Sequence, residues 1–155
     1  MNIDLALEYD WSPVTCTDGA PYRYPRPVRD VRSSFHAPAV YRWRFMNGEV
    51  LAALFIGECA DLLKELNAGV NPGAGQKSGG RIKAALGERM LLGQAGVVDV
   101  LTVRACSLGG TAVADPLKDQ HLRRAIESLL IHEASKEDVE LLNQETSARD
   151  LLSLL

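Results

Sequence analysis

Apolar positions along this chain change period several times, and each change predicts an element. The clearest signal lies on either side of Asn47-Gly48. AVYRWRF precedes the pair and EVLAALFIG follows it. Asn-Gly suits the positive φ values of a type I′ turn, and both flanks are rich in β-branched and aromatic residues, so the segment predicts a β-hairpin. Residues 50–56 carry almost no polar side chain, which predicts a strand covered on both faces and central in its sheet. Residues 61–66 and 81–92 switch to helical spacing. In the second of these, Ile82, Ala85, Leu86, Met90 and Leu91 share a face. The turn-rich NPGAGQKSGG, residues 71–80, predicts the connection between them. Residues 97–103, VVDVLTV, predict a third strand. Asp115-Pro116 predicts a helix start, a cap followed by a first-turn proline, with the helix continuing to about Ala134. Ser135 with Asp138 predicts a short capped turn, and residues 148–155 one more short helix.

Residues 1–37 read differently. Pro13, Pro21, Pro25 and Pro27 punctuate them, each removing a backbone donor. This predicts an irregular arm, with a short strand at most near residues 3–7. Trp11, Tyr22, Tyr24 and Phe35 supply apolar anchors for packing on the domain. The organisation read from the pattern is therefore an arm over 1–37 and an α/β domain over 38–155. That domain has a small, three-stranded, mainly antiparallel sheet flanked by helices.

Composition narrows the class. The chain has 155 residues, 46% hydrophobic and 24% charged, ordinary for a globular domain. No stretch approaches the roughly 18 uncharged apolar residues of a membrane span. The acidic first ten residues lack the basic start of a signal peptide. Cys16, Cys59 and Cys106 form no CxxC pair, and His36, His121 and His132 add no zinc spacing. A disulfide framework and a structural zinc site are thus not predicted, and a cytoplasmic setting is. Cys59 reads as an inert thiol. The stretch at 71–80 lacks the GK[ST] ending of a phosphate-binding P-loop.

Charge is divided along the chain. Residues 22–44 hold six arginines (Arg23, Arg26, Arg29, Arg32, Arg42 and Arg44) against Asp30 alone, whereas residues 125–155 hold two cations against seven carboxylates. The basic segment reads either as a local phosphate-binding face or as cations paired with the acidic C-terminal part.

Ala39-Val40-Tyr41 on the first hairpin strand, Phe55-Ile56-Gly57 on the second, Glu127 downstream and Asn143 beyond it form a set that resembles the GIY-YIG nuclease family. The likeness covers roughly residues 38–145. Asn71-Pro72-Gly73 and Gly79-Gly80-Arg81 are similar to a loop that some members carry between their first two helices. The resemblance implies a metal-dependent DNA endonuclease. In it Tyr41 assists the attacking water, Glu127 binds Mg²⁺ or Mn²⁺, and Arg81 and Asn143 complete the site. With DNA as the partner, the basic segment supplies the phosphate contacts, from Arg23, Arg26, Arg29, Arg32 and Arg42. One carboxylate is enough for a Mg²⁺ that keeps most of its waters, and arginine pairs with phosphate bidentately. Two positions depart from the family pattern. Phe55 lacks the second tyrosine's hydroxyl, and Glu65 stands where the family has an arginine. The alternative is therefore a catalytically inactive module of the same fold that binds DNA or a protein partner. Cleavage at specific sites would need the arm or a homodimer. Each residue also has a structural reading: Tyr41 as a core tyrosine, Glu127 as half of a surface i,i+4 pair with Arg123, Asn143 as a helix C-cap, and Arg81 as a solvated residue after a glycine turn.

Overall fold

A computed structural model describes residues 4–71 and 77–143, apart from the side chains of 77–81. It shows a mixed α/β fold in which, among the described residues, six strands form one sheet with three α-helices on its faces. The strands are β1 (Leu5–Pro13), β2 (Ala39–Asn47), β3 (Val50–Cys59), β4 (Ala95–Leu108), β5 (Thr111–Ala112) and β6 (Glu140–Leu141). The helices are α1 (Leu62–Val70), α2 (Lys77–Leu91) and α3 (Gln120–Ala134). The sheet runs β1-β4-β2-β3-β6, with β5 folded back on the end of β4. All its pairings are antiparallel except the short one between β3 and β6.

The hairpin forms as expected, with its turn displaced by one residue. Asn47 pairs with Val50, so Gly48 and Glu49 make the turn. Gly48 has φ +64° and Glu49 does not have positive φ, which is the requirement of a II′ turn rather than I′. The sheet has six strands where the pattern predicted three. The segment expected to be an irregular arm supplies one of them, since β1 forms a nine-residue ladder with β4. Leu5, Leu7, Tyr9 and Trp11 alternate on its inner face. Nor is the strand over 50–56 central. The middle position belongs to β2, and β3 lies beyond it with only the short β6 on its far side. Burial on both faces, rather than two full neighbours, accounts for the apolar run of β3.

Alternation divides the core in two. Tyr41, Trp43, Phe45, Ala53 and Val98 lie on one face, beneath Leu62, Leu63 and Leu66 of α1 and Ile82 and Leu86 of α2. Val14, Cys16, Tyr22, Val28 and Val31 of the N-terminal segment pack against the same face. Val40, Leu54, Ile56 and Leu101 face the other way, onto Ile126, Leu130 and Ala134 of α3.

Helix starts also differ from the expectation. α2 begins at Lys77, four residues inside the predicted connection. Pro116–Lys118 form a separate 3₁₀ turn, and the cap of α3 is Asp119, whose Oδ1 accepts from the Leu122 amide at 3.1 Å. α1 is capped by Asp61, as its Oδ1 accepts from the Lys64 amide at 3.2 Å. The predicted helix over 148–155 lies outside the described residues.

Asn143 closes part of the β3 edge. Its Oδ1 accepts from the Ile56 amide at 2.9 Å and its Nδ2 donates to the Ile56 carbonyl at 2.8 Å. The side chain thus replaces one residue of a neighbouring strand, extending the β6 pairing. Asn143→Ala leaves both groups of a buried strand residue unpaired. We expect it to cost about 1–3 kcal/mol in chemical denaturation and to speed hydrogen exchange at the Ile56 amide above that of neighbouring β3 amides.

Candidate functional site

At the end of the hairpin away from its turn, Tyr41 crosses Gly57, its partner on β3. A Cβ on Gly57 would lie 2.6 Å from the Tyr41 hydroxyl oxygen, so only glycine admits the ring there. The Tyr41 hydroxyl donates to Glu65 Oε1 at 3.2 Å. Glu65 lies between the buried positions Leu62 and Gly69 of α1, at their i+3 and i−4 spacing, so the helix turns it toward the sheet. Lys64, the residue before it, is exposed.

Three carboxylates gather here. Glu58 follows Gly57 on β3, Glu65 comes from α1 and Glu127 from α3. Burial, the Glu65 charge and, more weakly, that of Glu127 all act on Tyr41, placing it and Glu127 within electrostatic reach of each other. They hold its phenol well above the usual range, so Tyr41 is a protonated hydrogen-bond donor. Burial and then the Glu58 charge raise the Glu127 carboxyl, against a hydrogen bond from the Glu58 backbone amide and the Arg124 charge. Burial likewise raises the Glu65 carboxyl, with the Tyr41 hydrogen bond opposing it and Glu58 adding to it. Cys59 is buried beside them. Burial and the Glu65 charge push its thiol up to about 12, so it stays protonated at neutral pH.

Glu58 and Arg123 are the members of this cluster that sequence reasoning missed. Arg123 is only 5% exposed. Its Nε donates to Glu58 Oε2 at 3.0 Å and its Nη1 to the Leu117 carbonyl at 2.9 Å. Arg124 approaches the other Glu58 oxygen at 3.6 Å. Arg123 therefore serves Glu58 rather than an i,i+4 pair with Glu127. The available signal was an arginine three residues before Ile126 and seven before Leu130, on the apolar face of the helix, where a solvated cation does not fit.

Asn143 holds the β3 edge through Ile56. Arg42 points to the opposite face of the sheet and its Nε donates to Asp99 at 2.7 Å. Arg26 pairs with Asp18 and Asp30 at 3.1 and 3.0 Å. Arg23, Arg29 and Arg32 are exposed. Arg81 belongs to α2, and its side chain lies outside the described residues. Its neighbour Ile82 packs on Gly69 of α1, so the start of α2 is held beside the helix carrying Glu65. Among the described residues no group of three or more His, Cys, Asp or Glu side chains is placed to share a metal ion. No described helix is long and apolar enough to cross a membrane. No protein-family model matches the chain, and comparison with curated proteins and with solved structures gave no match.

The raised carboxyls define a pH dependence. A carboxyl whose folded pKa exceeds its unfolded value binds protons more tightly when folded. Stability therefore falls as pH rises from the ordinary carboxylate range through the raised value. Around Glu65 the titratable groups are Tyr41, Glu58, Cys59 and Glu127. In EDTA we expect Glu65→Gln, which retains an acceptor for Tyr41, to flatten that fall and to melt at or above the wild-type temperature at pH 7. A lower melting temperature at every pH would show that the Glu65 charge stabilises the fold.

Proposed function

We propose that the domain is a GIY-YIG-type endonuclease that hydrolyses DNA phosphodiesters with Mg²⁺ or Mn²⁺. The observation carrying this reading is the Tyr41 hydroxyl lying across Gly57 at the end of the hairpin, next to Glu58, whose amide Glu127 of α3 accepts from, so that the Glu127 charge acts weakly on the phenol. Support also comes from the arrangement of β4-β2-β3 between α1 and α2 on one face and α3 on the other. A hard divalent ion fits Glu127, since this desolvated carboxylate is repelled by Glu58 and Glu65 and a cation relieves that repulsion. Glu127 would hold the ion, whose chemistry is to neutralise charge on the phosphate and acidify water. Tyr41 gives its proton to the hydrogen bond with Glu65 and so offers its oxygen lone pairs to orient a water. Arg81 is the proposed phosphate-facing cation on α2. The test is plasmid nicking with Mg²⁺ and with Mn²⁺. We expect Tyr41→Phe and Arg81→Ala each to lose about 10²-fold, the scale of one electrostatic or positioning group.

A second reading keeps the fold as a binding module without cleavage. The specific observation favouring it is Glu65 itself, an anion bonded to Tyr41 where the resemblance places a cation. Wild-type protein that neither nicks nor gains activity on Glu65→Arg decides for this second reading.

A further inference from the structure

The face of the sheet that α3 covers is left open toward the hairpin turn. Three rows of side chains cross it. Arg44 lies opposite Val97, which also bridges to Arg23. Arg42 lies opposite Asp99, which pairs on its other side with Pro13. Trp11 lies opposite Leu101. Residues directly opposite each other share a face, so all three arginines reach one surface. They line a cleft of about 780 Å³ with Trp11, Val97 and Asp99.

Asp99 organises the cleft. It is 3% exposed, and a buried carboxylate persists only when paired and hydrogen-bonded. Arg42 Nε and Arg44 Nε donate to its Oδ2 at 2.7 and 2.6 Å, and Arg44 Nη2 donates to Oδ1 at 3.3 Å. The Arg42 guanidinium also lies 4.6 Å from the centre of the Trp11 ring. Both guanidiniums are thereby fixed before any ligand arrives. Among the described residues the Arg42 Nη atoms have no protein hydrogen-bond partner and Arg23 makes no ion pair. Three arginines against one carboxylate in the lining leave the cleft positive in a chain whose net charge is −3.

We propose that this cleft is a phosphate-binding site for a nucleotide, either free or as a unit of a nucleic-acid strand. Rigid guanidinium forks match phosphate oxygens bidentately, and their prior fixation by Asp99 lowers the entropic cost of binding. The volume lies within the range of small-ligand clefts, and Trp11, Pro13, Pro21 and Val97 give it the apolar wall a nucleoside needs. The site uses neither Tyr41 nor Glu127 and does not require cleavage.

The test is titration with dAMP and with a short single-stranded oligonucleotide, in EDTA so that binding is read without hydrolysis. Trp43 is buried on the opposite face, so Trp11 emission reports the cleft. Binding should change that emission, and Trp11→Phe should remove the signal while calorimetry still detects binding. Arg23→Glu alters an exposed residue outside the Asp99 cluster. It should weaken binding at least ~10-fold at an unchanged melting temperature and lower the salt slope of oligonucleotide binding by about one. Arg42→Gln should weaken binding similarly. Binding of dAMP identifies a free nucleotide as sufficient, and binding of the oligonucleotide alone identifies the strand. If neither ligand binds, or if Arg23→Glu and Arg42→Gln both bind with wild-type affinity, the proposal is overturned. Glu127→Gln should bind at the cleft as wild type does, so loss of nicking and loss of this site are separable.

Discussion

Glu127→Gln should abolish metal-dependent nicking while the domain stays folded. The glutamine retains an oxygen to accept from the Glu58 amide and removes one of three crowded charges. In EDTA its melting temperature should therefore equal or exceed that of the wild type at neutral pH. Losing the carboxylate also removes the nominated anchor of the divalent ion. A ligand that binds only the folded state stabilises it by RT ln(1 + [L]/Kd), so Mn²⁺ should raise the wild-type melting temperature and leave the variant unmoved. The fall in nicking should be at least ~10²-fold, the scale of a lost electrostatic stabiliser. Wild-type protein with neither a Mn²⁺-dependent thermal shift nor nicking would refute the metal role. A variant that lost nicking while keeping the shift would place the ion elsewhere.

What could be read along the chain was what adjacent residues decide. The hairpin follows from its apolar flanks, and its turn lies one residue further on, where Gly48 is the one turn residue with positive φ. β1 was hidden by composition. Prolines drew the segment toward an irregular reading although Leu5, Leu7, Tyr9 and Trp11 keep a strand period. The central place of β2 was hidden by Arg42 and Arg44. Two arginines argue against the middle of a sheet until Asp99, 57 residues after the first, arrives from β4 to pair with both. The site divides in the same way. Tyr41 and Gly57 face each other through hairpin register, which is local information. Glu58 with Arg123 is a contact across 65 residues, invisible in either segment alone. The inward turn of Glu65 was within reach, since Leu62, Leu66 and Gly69 mark that face of the helix.

Gly57→Ala should damage both stability and activity, and for a reason confined to Tyr41. Gly57 has no positive φ, so alanine meets no backbone strain there. The obstacle is the aromatic ring. The new Cβ would stand 2.6 Å from the hydroxyl oxygen, 2.7 Å from Cζ and 2.9 Å from Cε1. A ring only 3% exposed and packed in the core with the leucines of α1 has little freedom to retreat. Overpacking of this kind costs about 1–3 kcal/mol. Tyr41 must then leave its place over β3, which breaks the hydrogen bond to Glu65 and moves the hydroxyl relative to Glu127. A displacement of about 1 Å at a positioning group is worth about 10²-fold in rate. Gly48→Ala is the control. Nothing lies within 4 Å of its Cβ, but φ +64° is unfavourable for alanine. It should cost about 1–2 kcal/mol and leave nicking by the folded protein unchanged. Thermal melts and nicking rates on the two variants separate the effects. Equal losses of activity in both would attribute the Gly57 defect to general destabilisation, and a Gly57→Ala protein that melts and nicks like the wild type would show that Tyr41 does not occupy this position.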